Sequence, residues 1–291
     1  MMKEDRRFLQ LIFYSRLIGY KMNRGIFRSR FMGEGADYHS SRKYSLEDDA
    51  RFIDWRVSAR TSLPYIKTYQ ENKALNLFLC VDLSKSLESS NKGMSLKSFA
   101  KDLSFIFSTI AVKGNIPIGS VVFGGDEMAT FAPSTSKSSI FNMLKYMERN
   151  TQKVGTPLVD AIKKTYSVLS TRSLIFIISD FNVASYKTAL SKLSLKHDVV
   201  AIKLVHEPFY KLPEIGSIEF SDFESSFSEI LPTSSKSFIK KRKEQYIEEV
   251  NRWKEECIKA SATPLLLDIS LEPLKTLCAF FSTYNNAKRR A

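Results

Sequence analysis

Asp82, Ser84 and Ser86 follow, at alternate positions, the apolar run Leu77-Phe78-Leu79-Cys80-Val81. A carboxylate and two hydroxyls present hard oxygen donors, the kind that magnesium accepts while keeping several waters in an octahedral shell. The same three residues are also what the end of a strand looks like when short polar side chains cap the helix that follows. Two more oxygen donors lie downstream. Thr156 precedes Pro157 and the helical spacing Leu158, Ala161, Ile162, Tyr166 and Leu169, and Asp180 ends a second apolar run, Leu174–Ser179. Taken singly, Thr156 and Pro157 read as an ordinary N-cap and first helical residue, and Asp180 as a strand terminator.

The elements that must position these residues are legible in the hydrophobic pattern. Apolar runs of strand length occur near 75–82, 117–123, 127–131, 173–179, 198–205 and 264–268, and helical periodicity near 94–112, 136–148, 157–169, 184–194, 235–262 and 271–282. Runs without polar alternation indicate strands buried on both faces, and their alternation with helices calls for a doubly wound, mainly parallel α/β sheet. Gly124-Gly125-Asp126 suits a hairpin turn, which gives one antiparallel edge. In such sheets ligands lie beyond the carboxyl ends of the strands, where Asp82 and Asp180 fall. Residues 207–234, with Pro208, Pro213, Gly216 and Pro232, break the alternation, and Ser217–Phe220 and Phe227–Ile230 are expected to form a small inserted hairpin.

Five of these donors, Asp82, Ser84, Ser86, Thr156 and Asp180, resemble the metal-ion-dependent adhesion site of von Willebrand factor A domains, in which three loops hold one divalent cation. The resemblance implies a single Mg²⁺ (or Mn²⁺) site, with Asp82 acting directly or through water.

A second constellation lies upstream. Glu47 to Arg60 sets the acids Asp48, Asp49 and Asp54 and the arginines Arg51, Arg56 and Arg60 around Trp55. Arginine–carboxylate forks commonly fix an irregular segment against a core, and the same side chains could form a docking surface for a partner. Stapling predicts a buried Trp55 and pairing of Asp49 or Asp54 with Arg51 or Arg60. The string Asp-Asp-x-Arg-x-Ile-Asp-Trp-x-x-x-Ala-Arg, Asp48 to Arg60, resembles the hallmark of the domain-of-unknown-function family 58. His197-Asp198-Val199-Val200, Leu212-Pro213-x-x-Gly216 and the Leu277–Phe281 helix ending match in order, so the likeness spans roughly residues 30–283.

The resemblance implies an N-terminal extension over 1–73, a von Willebrand factor A-like domain over 74–283 with the 207–234 insertion, and a basic tail over 284–291. It further implies a bacterial protein acting beside a MoxR-type AAA+ ATPase on an unknown client. Two departures stand out: Glu47 occupies the place of a usual glycine, and the paired membrane spans of some members have no counterpart here.

Composition agrees with an ordinary globular chain of 291 residues, 43% hydrophobic and 26% charged. Cys80, Cys257 and Cys278 lack paired spacing, and His39, His197 and His206 are scattered, so neither a disulfide framework nor a zinc site is expected. No apolar run reaches membrane-spanning length and no signal peptide is evident, so the expected location is the cytoplasm. Most of the net charge of +13 sits at the ends, with eight Lys/Arg against Glu4 and Asp5 in residues 1–30, and Lys288, Arg289 and Arg290 in the tail. Leu9, Ile12, Phe13, Leu17 and Tyr20 share a helical face, which suits docking on the domain better than an interfacial membrane helix.

These features favour a metal-dependent protein-interaction module. A magnesium-dependent phosphohydrolase is the alternative, opposed by Ser84 standing where a second aspartate would serve as acid-base. A membrane-surface adaptor using the basic ends is a further alternative. No nucleic-acid motif appears beyond charge, and no catalytic constellation was found.

Overall fold

The computed structural model describes residues 16–19, 37–45, 48–50, 53–61, 63–70, 76–88, 90–91, 94–124, 128–149, 157–183, 185–206, 217–221, 228–232, 235–271 and 273–287. The chain divides into two compact units, Asn23–Ala74 and the remainder. In the smaller unit, β1 (Asp37–Lys43) pairs antiparallel with β2 (Tyr65–Gln70), and α1 (Trp55–Thr61) lies between them in sequence.

The larger unit holds the doubly wound, mainly parallel sheet expected from the sequence. Its strands are β3 (Asn76–Asp82), β4 (Ile118–Phe123), β5 (Ala129–Ser134), β6 (Ser173–Ser179), β7 (Asp198–Val205) and, last in the chain, β10 (Thr263–Asp268). They lie in the order β10-β7-β6-β3-β4-β5, with only β5 antiparallel. The side strands β8 (Ser217–Ser221) and β9 (Ser228–Pro232) make the separate hairpin expected in the insertion. The apolar runs explain the order. β4 and β6 are buried at every residue and β3 at all but its first, whereas β5 and β10 alternate in exposure and form the edges. Pro133 is tolerated because β5 is an edge strand. At Gly119 on β4 an added Cβ would meet the Phe131 carbonyl at 2.5 Å, so only glycine lets β5 approach where the register shifts.

Helices cover both faces. Phe78, Cys80, Ile175, Ile177, Val199 and Ala201 pack under α4 (Leu158–Val168), α5 (Lys187–Lys196) and α6 (Lys236–Lys259). On the other face, Phe107 of α2 (Leu96–Lys113) stacks on Phe176 with ring centroids 4.2 Å apart, and Phe281 of α7 (Pro273–Ala287) meets both edge-on. After β5, α3 (Lys137–Arg149) packs beside α2. Ser95 caps α2 by accepting from the Ser98 amide at 3.0 Å. Of the N-terminal amphipathic pattern only the turn Arg16–Gly19 is described. There Ile18 is fully buried, and a Cβ added at Gly19 would meet Ile110 at 3.5 Å.

The order of β3, β4 and β6 sets the functional end. The chain leaves β3 for β4 on one side and returns to β6 on the other, so a crevice opens beyond the carboxyl ends of β3 and β6.

His197, at the end of α5, is buried edge-on to Tyr166, and neither ring nitrogen has a hydrogen-bond partner among the described residues. Burial pushes its pKa from 6.5 down to about 4, the Lys196 and Arg172 cations add to the fall, and Asp198 opposes it. The unfolded chain therefore takes up a proton that the folded chain refuses, and stability present above pH 6.5 is lost as pH falls through about 4. Thermal melts between these limits are expected to show a slope that His197→Phe flattens; an equal slope in both proteins would assign the pH dependence to other groups.

Candidate metal centre

Asp82 is the last residue of β3, and the strand's pleat turns its side chain toward the face that carries Phe78 and Cys80. It is 4% exposed. The hydroxyl of Ser179, at the end of β6, donates to Asp82 Oδ2 at 2.7 Å, and the Ser84 amide donates to Oδ1 at 2.9 Å. Ser179 in turn accepts from the Phe181 amide at 3.1 Å, so strand ends and loops are tied around one carboxylate. Burial pushes the Asp82 carboxyl up to about 6, the nearby Asp180 carboxylate adds to the rise, and the bonds from Ser179 and Ser84 oppose it.

Past β3 the chain enters a 3₁₀ turn, Lys85–Glu88, pinned by buried Leu87. This turn brings the Ser84 and Ser86 hydroxyls to 2.9 Å from each other. Neighbouring ligands of an octahedron with metal–oxygen bonds of about 2.0–2.1 Å are separated by about 2.9 Å, so the pair fits one edge of a magnesium shell. Among the described residues no three His, Cys, Asp or Glu side chains converge, and a cation here would rest on two carboxylates and hydroxyls. That is a donor set for a hard ion. Two carboxylates close enough to raise one pKa also form a charge excess that a divalent cation relieves. Thr156, the fifth expected donor, lies outside the described residues.

Three further residues shape the site. Gly124, just past β4, has φ +92°, and a Cβ there would sit 2.2 Å from the Ser84 amide nitrogen; the serine loop closes over β4 only because that side chain is missing. Asp180 is half-buried, its Oδ1 accepting from the Asn182 amide at 3.1 Å, and the next residue, Phe181, turns the chain with φ 53°. Phe181 is held in that turn by packing on Tyr186 and Trp253. Lys203 Nζ donates to the Asp180 carbonyl, fixing the loop from β7. Lys203 had a signal in the sequence, as the charge within the apolar run Val199–Val205; Ser179 had none beyond its place beside Asp180.

Residues 40–252 match the family described as "Protein of unknown function DUF58". The chain belongs to that family. Uncharacterized proteins of Mycobacterium tuberculosis and Mycobacterium bovis are each 26% identical over 197 residues, 66% of this chain and 62% of theirs. The match thus spans less than two thirds of those relatives' length. Among solved structures, the SpRpn10 VWA domain is similar over 70% of this chain and 93% of that one, at 10% identity and a TM-score of 0.42. The pilus adhesin SpaC from Lactobacillus rhamnosus GG is similar over 89% of this chain and 35% of that one, at 9% identity and a TM-score of 0.45.

The Asp48–Arg60 segment of this DUF58 chain lies in the smaller unit, and the expectation for Trp55 is corrected there. Trp55 is 73% exposed, not buried. The buried residue is Asp54, 6% exposed, which accepts from the Ser41 hydroxyl at 2.8 Å and from the Val57 amide at 3.3 Å as the N-cap of α1. The Asp54 amide donates to the Tyr65 carbonyl and the Tyr65 amide to Ser58 Oγ, so backbone and hydroxyl bonds fix α1 on β2. Once Asp54 and Ser58 face inward, the helical period turns Trp55, Arg56, Ala59 and Arg60 outward, and all four are exposed. Asp48 pairs with Arg42 of β1 in two hydrogen bonds, an ion pair outside the expected set. Asp49 is exposed, and Arg51 lies outside the described residues.

Two predictions follow from this geometry. In chelator, Asp82→Asn is expected to be more stable than the parent protein at pH 7, by at most about 3 kcal/mol. A raised carboxyl favours the folded state only below its unfolded value of 3.8 and loses that advantage as pH rises through about 6, so the gap should close near pH 4. Denaturant titrations at the two pH values check this, and a gap independent of pH would contradict it. In the smaller unit, Asp54→Ala should cost about 1–2 kcal/mol through the lost cap, whereas Trp55→Ala should stay within about 0.5 kcal/mol. The reverse ranking in thermal melts would restore a core role to Trp55.

Proposed function

We propose that this protein is a metal-dependent protein-interaction module. Asp82, Asp180, Ser84 and Ser86, with Thr156, would hold one Mg²⁺ or Mn²⁺, which when bound supplies a Lewis-acidic vertex for a carboxylate of another protein. The observation that carries the reading is the Ser84–Ser86 hydroxyl pair at 2.9 Å beside a buried, pKa-raised Asp82 in the switch-point crevice. The protein's own residues have defined tasks in it: Ser179 and the Ser84 amide orient Asp82, and Lys203 and Phe181 hold the Asp180 loop.

The same geometry speaks against a phosphohydrolase. An aspartate nucleophile needs an open oxygen and an acid-base partner, whereas Asp82 is 4% exposed with both oxygens engaged, and Ser84 is bonded to Ser86. In this reading the module works in the cytoplasm with a MoxR-type AAA+ ATPase, which supplies work while this chain engages the client. Among the described residues no helix is long and apolar enough to cross a membrane.

Mg²⁺ is expected to raise the melting temperature of the purified protein at pH 7, and Asp82→Ala should abolish the shift. Pull-down of a MoxR-type ATPase, or of a client with it, should weaken in chelator and with Ser84→Ala. Phosphoester turnover that disappears in Asp82→Ala would replace the binding role with hydrolysis.

A further inference from the structure

Helix α1 is held in place without helping the core. None of its seven residues is buried. Polar bonds fix it instead: Asp54 caps its start, Ser58 accepts from the Tyr65 amide, and the Thr61 hydroxyl donates to the Val57 carbonyl at 3.0 Å. Two turns of helix are marginal by themselves, so these bonds decide which way the helix faces. They turn an indole into solvent. Trp55 is 73% exposed, whereas an aromatic side chain commonly buries about 150–250 Å². Arg56, Ala59 and Arg60 are exposed with it. Residues four apart lie one above the other on a helix, so Trp55 and Ala59 form an apolar ridge beside the cationic ridge of Arg56 and Arg60.

Both arginines are available. Among the described residues neither Arg56 nor Arg60 has an ion pair or a hydrogen bond, and the acids of the segment are engaged elsewhere: Asp48 with Arg42, Asp54 in the cap, and Asp49 as well. The face therefore lacks two carboxylates and a cover for one indole. Tryptophan and arginine are the residue types that dominate binding where proteins meet. At 1.5 Å of rise per residue the two arginine positions stand about 6 Å apart along the axis, the spacing of positions i and i+4 on a second helix. A partner helix with acids one turn apart and leucines on the next ridge meets both ridges in register, and the small Ala59 leaves room beside the indole. A second copy of this chain is a poor match. The apolar groove of about 480 Å³ that it offers between α4 and α5 is rimmed by Lys163 and Lys192, which repel a cationic face.

We infer that the outward face of α1 docks an acidic amphipathic helix of another protein: its apolar side chains cover Trp55 and Ala59, and two of its carboxylates pair with Arg56 and Arg60. This interface lies in the smaller unit and needs no divalent ion, so it stands apart from the metal-site reading.

Fluorescence anisotropy of the full chain with labelled, end-capped, alanine-based helical peptides tests it. The first peptide carries leucines at i and i+4 and glutamates on the adjacent ridge. The second has lysine in place of the glutamates, and the third has serine in place of the leucines. Only the first should bind, and equally in Mg²⁺ and in chelator. Trp55→Ala, which is not expected to disturb folding, should weaken it about thirtyfold, the loss typical of an aromatic anchor. Arg56→Glu combined with Arg60→Glu should abolish binding of the glutamate peptide and create binding of the lysine peptide, a reversal that arginines serving only the fold would not produce. Equal binding of the first peptide and either of the others, parent affinity in Trp55→Ala, or no binding at all overturns the inference. Binding lost in chelator would move the peptide to the metal crevice, overturning this face while supporting that site. Anionic vesicles held by the parent protein but not by Trp55→Ala, with no peptide bound, would assign the face to a lipid surface and overturn the inference too.

Discussion

The larger unit is organised around one buried carboxylate. Asp82 ends the central strand of a sheet whose neighbouring strands are buried throughout, so its charge has no access to bulk water and must be met by the protein. The Ser179 hydroxyl and the Ser84 amide meet it, and each bond has a structural consequence. The first ties β6 to β3 across the switch point. The second folds the serine loop back over β4, which requires Gly124 to have no side chain. Both loops thus take their course from the groups that meet Asp82.

The smaller unit uses the same device with a different outcome. Asp54 is also a buried aspartate satisfied by a hydroxyl and an amide, but it stands at the start of a short helix and acts as a cap. Two bonds to a capping residue and two between α1 and β2 orient seven residues that bury no side chain of their own. Short polar contacts can do this because each replaces water at a backbone group that would otherwise be orphaned. Burial of Trp55, which is exposed, is not what holds the helix.

Much of the larger unit was legible in the chain. Strands buried on both faces announce themselves as unbroken apolar runs, and all six appear where the pattern places them, as do the hairpin in the insertion and the helices between strands. The places of Asp82 and Asp180, which the proposed metal site uses, were legible for a related reason: a polar residue directly after an apolar run must lie at the strand's end. The smaller unit was not legible. A tryptophan among arginines and acids reads as a core anchor by composition, but the choice between inward and outward is made by which neighbour has a hydrogen-bond partner across the fold. Asp54 had Ser41, thirteen residues away, and took the inward position.

By itself, then, the sequence determined the periodicities, and with them the class of sheet, the strands at its centre and the residues at their carboxyl ends. These are local properties, set by side-chain spacing against the pleat and the helical turn. Only the tertiary structure decided what meets what: Ser179 on Asp82 across 97 positions, and Lys203 on the Asp180 carbonyl. Such meetings depend on strand order, and strand order is a consequence of the whole chain burying its apolar faces at once. No window of residues contains it.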